Sequence, residues 1–317
     1  MRLGILSTAH INRLVIPPAQ ASPEVELLGV ASRSLERATA YAEEWSIPHP
    51  YGSYAELLAD PHIEAVYISL PNALHVEWSI RALEAGKHVL CEKPLSRHPE
   101  EVERAFDAAE RAGLILMEAF MYRHNPQTAR LQALVAGGEI GTLQRIESSF
   151  GFTVADDANV RLSGELDGGA LMDVGCYCVS GSRLLAGEPE TAVGREQRGG
   201  RGVDVQFEGE LRFPGGVVAT FECGLEMETV DTLRVIGSEG SIFLDDPWHA
   251  REPRLELETR TVELEPANSY QLELENLSRA IRGEEEPLLG RADALGQARA
   301  IGALYASAAV GGAPRPV

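Results

Sequence analysis

Two short stretches carry side chains with acid–base capacity. Lys93 lies in CEKP, residues 91–94, and is one of two lysines set against twenty-six arginines. Guanidinium serves a surface charge or an ion pair as well as ammonium does, but it cannot give up a proton at accessible pH. Scarcity therefore marks Lys93 as a candidate for chemistry. The second stretch is DGGALMDVGCY, where two glycines open a helix and Asp173 and Tyr177, four residues apart, share one face. A carboxylate and a phenol so placed can serve one carbinol. A free tyrosine ionises near ~10, too high for an efficient base at neutral pH, and a neighbouring ammonium would lower that value by stabilising the phenolate. Lys93, Tyr177 and Asp173 are thus the candidate catalytic set. The plainer alternatives are a surface ion pair of Lys93 with Glu92 and a buried tyrosine bonded to an aspartate.

Such groups need a scaffold to bring them to a redox partner. Over the first 120 residues, apolar runs (RLGILS, VELLGVAS, EAVYISL, KHVLCE, LILME) alternate with amphipathic, helix-length segments. That rhythm predicts a parallel sheet covered on both faces, the doubly wound Rossmann pattern that binds nucleotides. Beyond about residue 120 it gives way to closely spaced strands with turns such as PGG and GSEG, and to two closing helices. The fold class expected is α/β followed by α+β: a dinucleotide-binding domain over 1–121 and a mostly antiparallel substrate domain over 122–317.

The phosphate end of such a domain is the first strand-to-helix turn, here GILSTAHIN, which nominates Ser7, Thr8, Ala9, His10 and Ile11. Ser7 and Ala9 stand where glycines are usual, and both are small enough for close approach. The second strand ends in Ser32 and Arg33, where a cofactor with a free ribose 2′-hydroxyl usually meets Asp or Glu. Serine and arginine suit a 2′-phosphate instead, with Arg37 one turn further on, so NADP is favoured over NAD. Leu70, Pro71, Asn72 and His75 follow a central strand, and Glu92 and Lys93 follow the next, all at the carboxyl edge where ligands bind. Asn72 reads equally as a helix cap, and His75 reads better as a structural residue than as an acid–base catalyst.

A formal charge of −20 in 317 residues argues against a nucleic-acid or anionic-membrane partner. No apolar run approaches the ~20 residues of a bilayer span, and the opening MRLGILS enters a strand pattern at once, so a cytoplasmic protein is expected. Cys91, Cys176, Cys178 and Cys223 read as reduced thiols, and no second pair or histidine cluster completes a metal site around them.

Taken in order, the nucleotide turn, the EKP after a later strand and GGALMDVGCY opening a helix resemble the glucose-fructose oxidoreductase / inositol dehydrogenase (Gfo/Idh/MocA) family over nearly the whole chain. GILSTAHIN, EAFMYRHNPQ, NVRL and MDVGCYCVSG look most like the branch holding NADP-dependent D-xylose dehydrogenases and dimeric dihydrodiol dehydrogenases. The resemblance implies Lys93 and Tyr177 as the catalytic pair with Asp173 lining the site, a cis peptide before Pro94, and dimerisation through the open face of the large sheet. Departures are Ser7 and Ala9 in the nucleotide turn and Asp167 before the glycine pair. Arg123 and His124 in MYRHNPQ, and Asn159 and Arg161 on the loop before the catalytic helix, are candidate substrate contacts or else caps and loop ties. The expected activity is hydride transfer between NAD(P) and a carbinol or carbonyl of a sugar, polyol or diol. A non-catalytic cofactor or sugar sensor and a cofactor-assisted elimination of a glycoside are the rival readings.

Overall fold

The apolar runs of the amino-terminal stretch become parallel strands, and the amphipathic segments between them become helices. In chain order these are β1 (Arg2–Leu6), α1 (Asn12–Ala21), β2 (Glu26–Ala31), α2 (Leu35–Trp45), β3 (His49–Tyr51), α3 (Tyr54–Ala59), β4 (Ala65–Ile68), α4 (His75–Glu84), β5 (His88–Glu92), α5 (Pro99–Ala112) and β6 (Leu116–Ala119). The computed structural model describes every residue, Met1–Val317. Strand order is β3-β2-β1-β4-β5-β6, so the winding reverses between β1 and β4 and opens a crevice at their carboxyl ends. β4 is buried at all its positions and β1 at all but the first. Burial on both faces is why these strands read as unbroken apolar runs.

The later chain forms α6 (Pro126–Ala136), β7 (Leu143–Gly151), α7 (Cys176–Ala186), β8 (Thr191–Arg198), β9 (Asp204–Arg212), β10 (Val218–Gly224), β11 (Val230–Gly237), β12 (Ser241–Leu244), β13 (Arg254–Leu257), β14 (Thr261–Glu263), α8 (Ser269–Ile281), α9 (Arg291–Ala308) and β15 (Arg315–Pro316). Its nine strands lie in the order β14-β13-β12-β11-β7-β10-β9-β8-β15. Every recorded pairing is antiparallel except β7 with β10. Alternation sorts the faces: along β9, Val205, Phe207 and Leu211 are buried while Glu208 and Arg212 are exposed. On the buried face α9 lies close to β8, where the Gly194 amide donates to Ser307 Oγ at 3.0 Å. The opposite face shows Glu147, Arg195, Glu208, Glu210, Arg212 and Glu222 along one broad, shallow depression.

By contact the chain forms two units. One is Met1–Ser96, Glu100–Met121 and Asn268–Leu295; the other is Arg97–Pro99, Tyr122–Ala267 and Gly296–Val317. Helix α8 therefore returns to the parallel sheet. Asn268 caps it by accepting from the Tyr270 and Gln271 amides. Ser22 Oγ donates to Glu275 at 2.8 Å and Ser278 Oγ to the Glu24 carbonyl at 3.0 Å, while Arg279 and Arg282 pair with the Glu24 carboxylate at 3.1 and 2.8 Å. The Arg282 guanidinium holds the Glu24 carboxyl below its usual range. No helix is long and apolar enough to cross a membrane.

Candidate functional site

At the crevice, Ser7 takes φ 130°, a value that favours glycine. Hydrogen bonds offset that strain. Ser7 Oγ lies 2.8 Å from Ser69 Oγ and accepts from the Ala9 amide at 3.0 Å; Asn12 accepts from Ser69 Oγ at 2.6 Å and donates to the Ser7 carbonyl at 3.0 Å. The ends of β1 and β4 and the start of α1 are thereby locked together. Helix α1 has no acidic residue in its first turn and no side chain capping it, so its amino end suits an anion. Arg37 donates to Thr8 Oγ1 at 3.1 Å, and both Arg33 and Arg37 act on the Tyr54 phenol, whose ionisation burial pushes up against them. Thr8, Arg33 and Arg37 thus form one cationic, hydroxyl-bearing corner near the end of β2, where Ser32 is buried. His10 and Ile11 complete the turn, the His10 carbonyl accepting from the Arg13 amide.

The EKP turn is fixed by polar contacts. Its Lys93–Pro94 peptide is cis. Tyr67 donates to Glu92 Oε1 at 2.5 Å, the Lys93 amide to Glu92 Oε2 at 3.2 Å, and the Leu95 amide to Glu118 Oε1 at 2.7 Å. His75, wholly buried, sets Nδ1 2.9 Å from the Pro94 carbonyl and Nε2 2.8 Å from the Leu70 carbonyl. Burial pushes its ionisation down. With both ring nitrogens engaged, any contribution His75 makes to a cofactor runs through the loop it ties. Pro71 and Asn72 lead into a 3₁₀ turn, Asn72–Leu74. The second lysine, Lys87, is a strap: its Nζ donates to the Asp60 and Ile63 carbonyls at 2.7 and 2.8 Å. Glu273 of α8 is 2% exposed, and its Oε1 has no hydrogen-bond partner. Burial, then the charge of Glu92, pushes its carboxyl well above the usual range.

The glycine pair has a steric cause. A side chain at Gly168 would strike the Arg161 carbonyl, and one at Gly169, φ 125°, would strike the Asp204 carboxylate. That carboxylate caps the chain's entry into helix by accepting from the Leu171 amide at 2.7 Å, and it takes a second bond from the Tyr305 hydroxyl at 2.9 Å. Burial raises Asp204 to about 6. The turn that follows, Leu171–Gly175, is π-helical rather than the α-helix its spacing predicts, and α7 begins only at Cys176. Single π turns within helices are frequent at functional sites. Asp173 accepts from Arg161 Nε at 2.6 Å, which unites two candidate residues. Asp167, at φ 55°, pairs with Arg97 at 3.0 Å.

Tyr177 is 7% exposed and ringed by aromatic groups, with Phe150 at 5.4 Å, Tyr122 at 5.8 Å and Trp248 at 5.9 Å between centroids. Tyr122 donates to Ser180 Oγ at 2.7 Å, and the Trp248 ring lies where a side chain at Gly181 would be. Asn159 caps the 3₁₀ turn Val160–Leu162 by accepting from the Arg161 amide. Arg123 and His124 are half-buried in the turn Met121–His124.

A family model described as an oxidoreductase family with an NAD-binding Rossmann fold matches residues 1–120, and one for the GFO/IDH/MocA C-terminal domain matches 128–243. The chain belongs to the GFO/IDH/MocA family. It is 41% identical over 324 residues to a D-xylose 1-dehydrogenase (NADP(+)) of Haloferax volcanii, covering 99% of each chain. To the trans-1,2-dihydrobenzene-1,2-diol dehydrogenase of Sus scrofa it is 35% identical over 255 residues, 78% of this chain and 75% of the other. A 3-ketoreductase from Actinomadura kijaniata, solved with NADP and TDP-benzene, superposes with a TM-score of 0.90 at 30% identity over 97% of both chains. Solved variants of that enzyme include a lysine and a tyrosine replacement.

Several residues packed around the candidate groups of one unit or the other escape sequence reasoning. Phe150, Trp248, Asp204 and Glu273 come from strands, loops and helices far along the chain, and nothing local distinguishes them from core. For Asp204 the available signal is its place between Val203 and Val205, a buried position for a carboxylate that then needs partners.

Proposed function

We propose that this family member is an NADP-linked dehydrogenase that exchanges a hydride with a carbinol or carbonyl of an aldose, cyclic polyol or related diol. The observation that carries this reading is near full-length identity of 41% to an NADP-dependent D-xylose dehydrogenase in a chain that keeps Lys93 and Tyr177. The crevice residues fit a cofactor with a 2′-phosphate: a hydroxyl and two guanidinium groups gather near the end of β2, with no carboxylate at Ser32 or Arg33 to repel it. Ser7 to Ile11, Leu70 to Asn72 and Glu92 would hold the rest of the dinucleotide, within a nucleotide-binding region over 1–121. When bound, NADP supplies the hydride acceptor.

Side chains from the second domain, residues 122–317 less the α8 segment that returns to the parallel sheet, act on the substrate. Tyr177 takes the hydroxyl proton of the carbinol, its phenolate stabilised by the Lys93 ammonium, and returns that proton when the reaction runs as a reduction. Asp173, oriented by Arg161, accepts a hydrogen bond from a neighbouring hydroxyl, and Arg123 and His124 contact the remainder of the sugar, with Asn159 shaping the loop. No metal is required. Two copies associate through the outward face of the nine-stranded sheet, whose mixed Glu and Arg rows are self-complementary. Four free, buried cysteines suit work in the cytoplasm. A spectrophotometric screen of aldoses, inositols and vicinal diols with NADP and NAD separately tests the reading. NADP reduction with at least one aldose or diol is expected; no hydride exchange with any compound, from protein that binds NADP, would overturn it in favour of a sensor.

A further inference from the structure

Trp248 is 1% exposed, and its indole N–H has no hydrogen-bond partner. Nothing polar on the ring fixes it, although it forms one wall around Tyr177, meets Tyr122 edge-on at 5.1 Å and stacks on Phe150 at 6.4 Å. The anchor is the next residue. His249 Nδ1 lies 2.9 Å from Asp231 Oδ2 at the start of β11 and 3.6 Å from Asp246 Oδ1 on its own loop, and its ring meets Phe150 edge-on at 5.8 Å. Asp246 in turn accepts from the Arg251 amide at 2.7 Å, and its carbonyl accepts from Gln127 Nε2 at 3.0 Å. Ala250, at φ 50°, closes this loop in a conformation non-glycine residues seldom adopt. The three side chains are largely shielded, at 13%, 14% and 27% exposure.

We propose that the Asp231–His249–Asp246 clamp is a positioning device for Tyr177, holding Trp248 and Phe150 in the single arrangement that fixes the phenol. The role rests on Tyr177 being the proton acceptor proposed above. A side chain displaced by as little as 1 Å can lose orders of magnitude in rate, so a ring wall with no polar anchor of its own needs one beside it. The clamp is also charge-dependent. Burial disfavours the imidazolium, but Asp231, whose carboxylate accepts from Nδ1–H, and Asp246 beside it outweigh burial and hold His249 above its ordinary value, while the Arg251 charge opposes them. A raised value means the imidazolium is fully formed below about 6.5 and is lost as pH rises through the folded value, while burial raises the Asp231 carboxyl too, so the ion pair also weakens toward acid pH.

Trp248 becomes a reporter in a Trp45→Phe/Trp78→Phe background, because a charged imidazole quenches a neighbouring indole. Emission is expected to rise through a midpoint above 6.5, and to be flat with pH after His249→Gln. In NADP-linked turnover, His249→Leu is expected to lose about tenfold in kcat with KM changed far less. His249→Gln, whose amide can still bridge both carboxylates, should recover most of that loss at pH 7. Absence of the inflection in the parent, or an unchanged kcat in His249→Leu, overturns the proposal. A parent that shows the inflection but transfers no hydride to any sugar would instead sink the dehydrogenase reading, and with it the role assigned to the clamp, while leaving the clamp itself measured.

Discussion

Lys93 sits on a turn whose neighbours are hydrogen-bonded polar groups, whereas Tyr177 sits on a helix whose neighbours are rings. On the lysine side, Tyr67, His75, Glu118 and the backbone amides of the turn fix geometry through directed bonds, and buried Glu273 adds a proton that responds to the charge of Glu92. On the tyrosine side, Phe150, Tyr122 and Trp248 fix geometry through volume and ring orientation. The two arrangements suit the two roles proposed for these residues. An ammonium proposed to tune a partner's ionisation is sensitive to every charge near it, so its surroundings are set by pairing; a phenol proposed to gain and lose a proton in place is walled directly by rings, with the charged clamp of His249 set behind them.

Three experiments would break or sharpen this contrast. Trp248→Ala removes the largest buried ring of the second site and is expected to cost about 3–5 kcal/mol of stability, read from the urea midpoint at constant slope. A loss under ~1 kcal/mol would mean that ring packing does not hold the tyrosine side. Glu273→Gln acts on the other side, through charge. The native carboxyl keeps a proton that the unfolded chain releases above about 4.5, so its contribution to stability is full below that pH and declines as pH rises toward the folded value. Glutamine has no such decline. The variant should therefore gain on the parent by about 1–3 kcal/mol between pH 5 and 8, and a difference in Tm that ignores pH would deny the buried acid. Smallest is Arg37→Ala, expected to raise KM for NADP about tenfold, or ~1.4 kcal/mol, with KM for NAD nearly unchanged; equal effects on both cofactors would remove the 2′-phosphate assignment.

Legibility followed burial and distance along the chain. The strands β1, β2, β4, β5 and β6 are readable because burial on both faces makes them continuous apolar runs, and β9 and β10 because one buried face makes them alternate. The three residues of β3 are too few to carry a period, and β8, TAVGREQR, turns so much polar surface outward that its pattern is lost. Lys93 is singled out in the sequence by its rarity and Tyr177 by the glycines before it, and both assignments stay proposals. The π turn is not legible, since the spacing of Asp173 and Tyr177 fits an α-helical period and nothing in LMDVG signals another. Trp248, His249 and Asp231 were silent because their meaning lies in contacts closed by β11 and the loop after β12, which no local pattern encodes.

The most direct measurement is a double-mutant cycle on kcat/KM for NADP-linked oxidation, using Lys93→Ala, Tyr177→Phe and the pair. If the ammonium serves by tuning the phenol, each single change should cost about 10²–10⁴-fold and the double little more than the worse single, as for groups that act as one unit. Losses that multiply would show that lysine and tyrosine act independently and would contradict the shared proton step.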